Sequence, residues 1–215
     1  MITGAIIAAK VNAGLGKAGN AIGFSYAWYR PAGSGPVIVP TNLQGNVRAY
    51  ISTSAALTAQ TSSWGKADRF AVFDPSEFLA GDYLVGDQKN YFLGELVPIS
   101  GMVRLILCNE TFTWLQMGVS TPGPGFRRGV RVGTPRITDW PGWLAISERR
   151  SSPELHLVGS VDEPNAQILL PVSIPAEINR GDILTTGEES PVSWTVQGAV
   201  YSPNGWQISA IRAGA

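Results

Sequence analysis

The chain has one cysteine, one histidine and few charges: Cys108 and His156 stand alone, and only 15% of its 215 residues are Asp, Glu, Lys or Arg. A single cysteine excludes an intramolecular disulfide, and one cysteine with one histidine excludes zinc sites of the usual composition. Cys108 lies in the apolar run MVRLILCN, which predicts a buried thiol. His156 alternates with leucines in ELHLVGS, as a strand residue would. Sixteen basic residues balance sixteen acidic ones, which leaves neither a broad basic field for nucleic acid nor a disordered acidic tail. No apolar run approaches the ~18 residues of a membrane span. MITGAIIAAK lacks a leading basic residue, and no cleavage pattern follows it, so no signal peptide is expected. Catalytic signatures are missing too. There is no G-x-S-x-G, and GLGKAG at 14–19 lacks the spacing of a phosphate-binding loop. The carboxylate pairs Asp74/Glu77 and Glu188/Glu189 sit beside turns. The expectation is no enzyme, no metal and no cofactor.

Glycine (25) and proline (15) are abundant, and β-branched and aromatic residues are plentiful, which favours many short strands over long helices. The one helix candidate is the N-terminal segment 1–23. There Ile2, Ile6, Ala9 and Ala13 recur at spacings of three and four, while Gly14, Gly16 and Gly19 weaken the second half. It reads either as a frayed helix lying across a sheet or as one whose small residues allow close packing. From Phe24 onward the pattern is strand-like: FSYAWYRP, FAVFDP, GDYLVG, NYFLGELVP and MVRLILCNETFTWLQM, separated by Gly, Pro and Asn. Residues 118–136, GVSTPGPGFRRGVRVGTPR, carry three prolines and five glycines and read as a linker. Arg127, Arg128 and Arg131 on that linker are candidates for gripping a partner surface. The expected organisation is therefore a helical segment 1–23, a first β domain 24–117, a linker 118–136 and a second β domain 137–215.

That division finds support in a repeat. PSEFLAGDYLVG, starting at Pro75, returns one hundred residues later as PAEINRGDILTTG, starting at Pro175. Between 70–84 and 170–184 six of fifteen positions are identical: Val72/Val172, Pro75/Pro175, Glu77/Glu177, Gly81/Gly181, Asp82/Asp182 and Leu84/Leu184. Background frequencies would give roughly one. The match extends with small gaps, laying Tyr91 on Trp194, Leu93 on Val196, Val97 on Val200 and Leu105 on Ile208. A duplicated fold follows: mainly β, with two tandem small antiparallel barrels or sandwiches after an N-terminal helix. In each copy Gly-Asp turns the chain into a strand, Gly supplying positive φ and Asp bonding backbone amides. Gly81, Asp82, Gly181 and Asp182 are accordingly read as turn formers rather than acid/base catalysts.

The segments GDYLVG, NYFLGELVPI and MVRLILCN, with G-D-x-L followed by a strand of the form G-x-x-[YW]-x-[VL], resemble the β-barrel core of head-closure and tail-completion proteins of tailed bacteriophages. FSYAWYRPAG is similar to the opening of phage and prophage proteins that carry the same downstream segment. The resemblance covers about half of the chain. It implies a non-enzymatic virion component of the head–tail connector or tail, made in the host cytoplasm and assembling as a homo-oligomer with portal, adaptor or tail proteins. It implies no membrane, and DNA only where a channel is lined. Under it, Ile2, Ile6, Ala9, Ala13 and the linker arginines are the assembly surfaces. The doubled barrel departs from the single-barrel stopper pattern. A second reading comes from seven tryptophans: Trp64, Trp114, Trp140, Trp143 and Trp206 fall near expected strand ends or loops, where they could serve a tail appendage or decoration protein that binds host glycans.

Overall fold

The computed structural model describes residues 4–52, 67–96, 103–119, 131–147, 165–175, 177–187 and 191–213. Helix α1 (Gly4–Ile22) precedes β1 (Phe24–Tyr29), β2 (Leu43–Ser52), β3 (Asp68–Val72), β4 (Tyr83–Val85), β5 (Asn90–Leu93) and β6 (Val103–Cys108). Then follow β7 (Glu110–Val119), β8 (Arg131–Ser147), β9 (Asn165–Leu170), β10 (Ile183–Thr186), β11 (Val192–Ser202) and β12 (Gly205–Arg212). The first six strands close into an antiparallel ring in the order β1-β2-β3-β6-β5-β4, and the last six close along the same path, β7-β8-β9-β12-β11-β10. Closure leaves neither sheet with an edge strand. No helix among the described residues is long and apolar enough to cross a membrane.

The boundary between the barrels falls at Asn109, not at 118–136. Asn109 donates its amide to Gly142 O, and its side chain both donates to Leu144 O and accepts from Leu144 N. These bonds tie the chain to β8 and turn what reads as one long segment, MVRLILCNETFTWLQM, into the last strand of one barrel and the first of the next. Gly118, Val119 and residues 131–136, expected in a linker, are paired strand of the first hairpin of barrel two, with Val119 opposite Arg131. Residues 120–130, with Arg127 and Arg128, lie outside the described residues, as do Ile2, Trp64, Val97 and His156.

Strand pairing carries the duplication around each ring. Trp28 opposite Leu84 corresponds to Trp114 opposite Leu184. Leu84 opposite Tyr91 corresponds to Leu184 opposite Trp194. Phe92 opposite Ile106 corresponds to Thr195 opposite Ile211. Continuing through Asp68 and Asn165, then Tyr50 and Trp143, the correspondence returns to β1 and β7 without contradiction. Two sequence matches shift under it. Val72 corresponds to Leu169 rather than Val172, because barrel two has three extra residues between its third strand and Pro175. Leu105 corresponds to Ala210 rather than Ile208. The second shift is a slip of two, which leaves side chains on the same face, so alternation alone cannot detect it.

The interiors differ in how they are filled. Barrel one encloses Ala49, Ala71, Phe73, Leu84, Tyr91, Leu93 and Leu105, with Trp28 and Val47 packed against them. Barrel two places fully buried Trp114, Trp140 and Trp194 where barrel one has Trp28, Val47 and Tyr91. Its Gly142 stands where barrel one has Ala49, and a Cβ there would lie 2.6 Å from Leu170 Cδ2. Gly142 thus leaves room that a side chain would take from the large residues around it.

Candidate functional site: paired aspartate turns and the face between the barrels

The repeated motif builds the same turn twice. Gly81 and Gly181 have φ of 88° and 90°, a region that glycine enters without strain. Gly81 N donates to Leu93 O and Leu93 N to Asp82 O; in the second copy Gly181 N donates to Val196 O and Val196 N to Asp182 O. Both aspartates are 2% exposed. Asp82 Oδ2 accepts from Leu79 N (2.9 Å) and Trp28 Nε1 (2.9 Å), and Asp182 Oδ2 accepts from Asn179 N (2.8 Å) and Trp114 Nε1 (3.1 Å). The remaining donors differ. Arg30 forks onto Asp82, Nε to Oδ1 at 3.0 Å and Nη2 to Oδ2 at 2.8 Å, and stacks 5.2 Å from the Trp28 ring centroid. In barrel two Gln116 stands in the place of Arg30, and the Met117 amide supplies Oδ1 of Asp182 at 2.9 Å.

Donors reach both oxygens of each carboxylate, three at Asp82 Oδ2, two at Asp182 Oδ2 and one at each Oδ1. Each aspartate clamps the motif onto the first strand of its own barrel. The tryptophan clamps, and Arg30 with them, escaped the sequence reading. Trp28 lies 54 residues before Asp82 and Trp114 lies 68 before Asp182, so no constant offset links them. The signal available was a tryptophan in the first strand of each copy.

Between the barrels lies a buried apolar face. Tyr83, Phe92 and Ile106 point out of barrel one, are fully buried, and share the core cluster of barrel two. β5 and β6 rest on β8. Tyr83 Oη donates to Pro141 O at 2.8 Å, Trp140 Nε1 to Gly35 O at 2.9 Å, Ser173 Oγ to Gly81 O at 3.1 Å and Glu95 N to Asn204 Oδ1 at 3.1 Å. Burial pushes the Tyr83 phenol well above its usual range and raises the Cys108 thiol likewise, which makes that thiol a poor nucleophile. A folded-state pKa above the unfolded one means stability that is complete below the unfolded value and is lost as pH rises past it. Unfolding midpoints are therefore expected to fall above about pH 9 through Cys108 and more steeply above about pH 10 through Tyr83, and Tyr83→Phe to flatten the upper part of that fall at a cost of about 1 kcal/mol at neutral pH. An unchanged alkaline limb in Tyr83→Phe would show that this phenol does not drive it.

The other expected site residues separate. Ile6, Ala9 and Ala13 lie on the exposed face of α1, whereas the helix packs through the opposite face at Gly19. The small-residue packing is thus real, but at Gly19 and Gly16 rather than along Ile6, Ala9 and Ala13. Arg131 is placed on β8. Trp114 and Trp140 are strand residues of the barrel interior, Trp206 is 9% exposed, and Trp143 packs on the core. This corrects the expected strand-end or loop place of Trp114 and Trp140, whose rings the barrel encloses so that no sugar can stack on them, while Trp206 does stand at the start of β12. Among the described residues no cluster of three His, Cys, Asp or Glu side chains could hold a metal ion. The chain matches no family model, no curated protein and no solved structure.

Proposed function

We propose that the chain is a non-enzymatic structural component that works through protein–protein contacts, and that it belongs to the head–tail connector or tail of a phage particle. The observation that carries the structural part is the buried apolar face between the barrels, where the outward residues of one barrel become core for the other. The same chain leaves large apolar side chains in solvent, among them Ile6, Ile7, Ile22 and Phe24 at 46%, 51%, 60% and 72% exposure. Large apolar side chains left exposed at both ends of the helix and at the strand entry behind it are available for contact with a partner. The best-formed polar site, the clamped Asp82 turn, is spent on architecture. The virion assignment rests on the resemblance of GDYLVG, NYFLGELVPI and MVRLILCN to phage connector barrels.

Immunogold labelling of intact particles is the test. Label at the head–tail junction or tail is expected, and absence of the protein from purified particles would discard the virion role. Deleting residues 1–23 is expected to change incorporation into particles; unchanged incorporation would remove α1 from the assembly surface.

A further inference from the structure

The inter-barrel contact has a counterpart at each end of the chain. On the receiving side, barrel one docks over β8 and the segment after β9: Tyr83 Oη meets Pro141 O, and Gly81 lies against Ser173. Pro141 is opposite Thr111 and Arg48 is opposite Ser25, which makes Pro141 and Arg48 equivalent. On barrel one that receiving place is occupied by α1, which rests on β2 and β3. A Cβ at Gly19 would stand 2.7 Å from Val72 O, 2.9 Å from Arg48 O and 3.1 Å from Phe73 Cα. The helix therefore sits on barrel one where barrel one sits on barrel two.

Among the described residues nothing covers the counterpart on the docking side. Tyr29, Tyr83, Phe92 and Ile106 form a row across barrel one, and the pairing makes Leu115, Ile183, Thr195 and Ile211 the same row on barrel two. Tyr83, Phe92 and Ile106 are fully buried, whereas all four of the second row are only half-buried. A Cβ on Gly81 would strike Ser173 at 2.5–2.9 Å, whereas none of the described residues lies within 4 Å of one on Gly181. A contact that joins unlike faces, with one docking face unpaired and one receiving face held only by α1, propagates by addition of further copies once that helix leaves.

We propose that the Leu115–Ile183–Thr195–Ile211 face of barrel two docks on the β2/β3 face of barrel one in a second copy of this chain, and that α1 caps that receiving face, which accepts the second copy only once the helix has left it. The proposal deepens the assembly reading and rests on it. The helix suits a removable cap. Gly19 is its one buried residue, no acidic side chain supports its first turn and no basic one its last. Gly14 and Gly16 lower its intrinsic stability further.

The test separates the two faces in the full chain. Gly19→Leu cannot keep the helix seated and should free the receiving face. Ile183→Glu with Ile211→Glu should disable the docking face while leaving the interior of barrel two intact. Light scattering is expected to show Gly19→Leu forming concentration-dependent multimers, and the triple variant reverting to the mass of the capped protein. Mixing the triple variant, which can only receive, with the wild-type chain, which can only dock, should give a complex of one chain each that grows no further. Deletion of residues 1–22 together with the two glutamates provides a second receiver should Gly19→Leu not fold. Receivers that fold, as judged by circular dichroism, yet bind no wild-type chain would overturn the proposal, as would multimers unaffected by the glutamates. Should that happen while the protein still labels the particle, the connector reading stands and this mode of addition falls.

Discussion

Asp182→Ala is expected to lower the unfolding free energy by about 3 kcal/mol, because it strips the acceptor from three donors at once: Met117 N, Asn179 N and Trp114 Nε1. Each buried donor left without a partner costs on the order of 1–3 kcal/mol, and relaxation of the turn recovers part of the sum. The equivalent Asp82→Ala is expected to cost less, about 2 kcal/mol, because the Arg30 side chain is 32% exposed and can turn to water once its carboxylate is gone. Asp182→Asn should fall between wild type and Asp182→Ala, since the amide retains one acceptor oxygen but places a donor where another donor points. Urea unfolding of the three variants at constant pH checks the order. A loss below about 0.5 kcal/mol for Asp182→Ala would mean that the clamp is dispensable and that the motif repeats for another reason.

Gly81→Ala is expected to cost about 3 kcal/mol, against about 1 kcal/mol for Gly181→Ala, although the two glycines have nearly the same φ. Both substitutions force a side chain into a left-handed conformation worth roughly 1 kcal/mol of strain. Only at Gly81 does the new Cβ also meet another barrel, with Ser173 Oγ, Cβ and N at 2.5, 2.7 and 2.9 Å. Backbone N cannot yield as a flexible side chain could, so the barrels must part locally. The difference between the two variants thus measures the inter-barrel contact with the conformational cost subtracted. Equal losses would show that the barrels separate freely at this point. Hydrogen exchange gives an independent reading, with Gly81→Ala expected to loosen β5, β6 and β8 while sparing the interior of barrel one.

The functional surfaces were the least legible part of the sequence, for reasons visible at particular residues. Tyr83 and Ile183 occupy matching positions in GDYLVG and GDILTTG and both read as apolar strand residues; whether such a residue faces water or another domain depends on what docks there. Trp114 and Trp140 look like loop or strand-end aromatics until β7 and β8 close the ring around them. Ile6, Ala9 and Ala13 form a regular helical stripe, yet the helix is held through Gly19, a residue with no side chain to register in any hydrophobic pattern. The boundary was misplaced for a related reason. Gly and Pro at 118–136 signal a break in chain regularity, and a hairpin within one barrel needs such a break as much as a linker does.

By itself the sequence determined the class of fold, the N-terminal helix, the duplication and the two Gly-Asp turns, because these depend on short-range properties: alternation of period two, the freedom of glycine at positive φ, and a motif written twice. Only the tertiary structure decided that each set of six strands closes, that the chain crosses from one barrel to the next at Asn109, and that tryptophans 54 and 68 residues away clamp the two aspartates. It also decided which outward face is buried by the neighbouring barrel and which is left half-open. Those outcomes depend on contacts between residues far apart in the chain, where a slip of two in pairing preserves every local pattern and changes every partner.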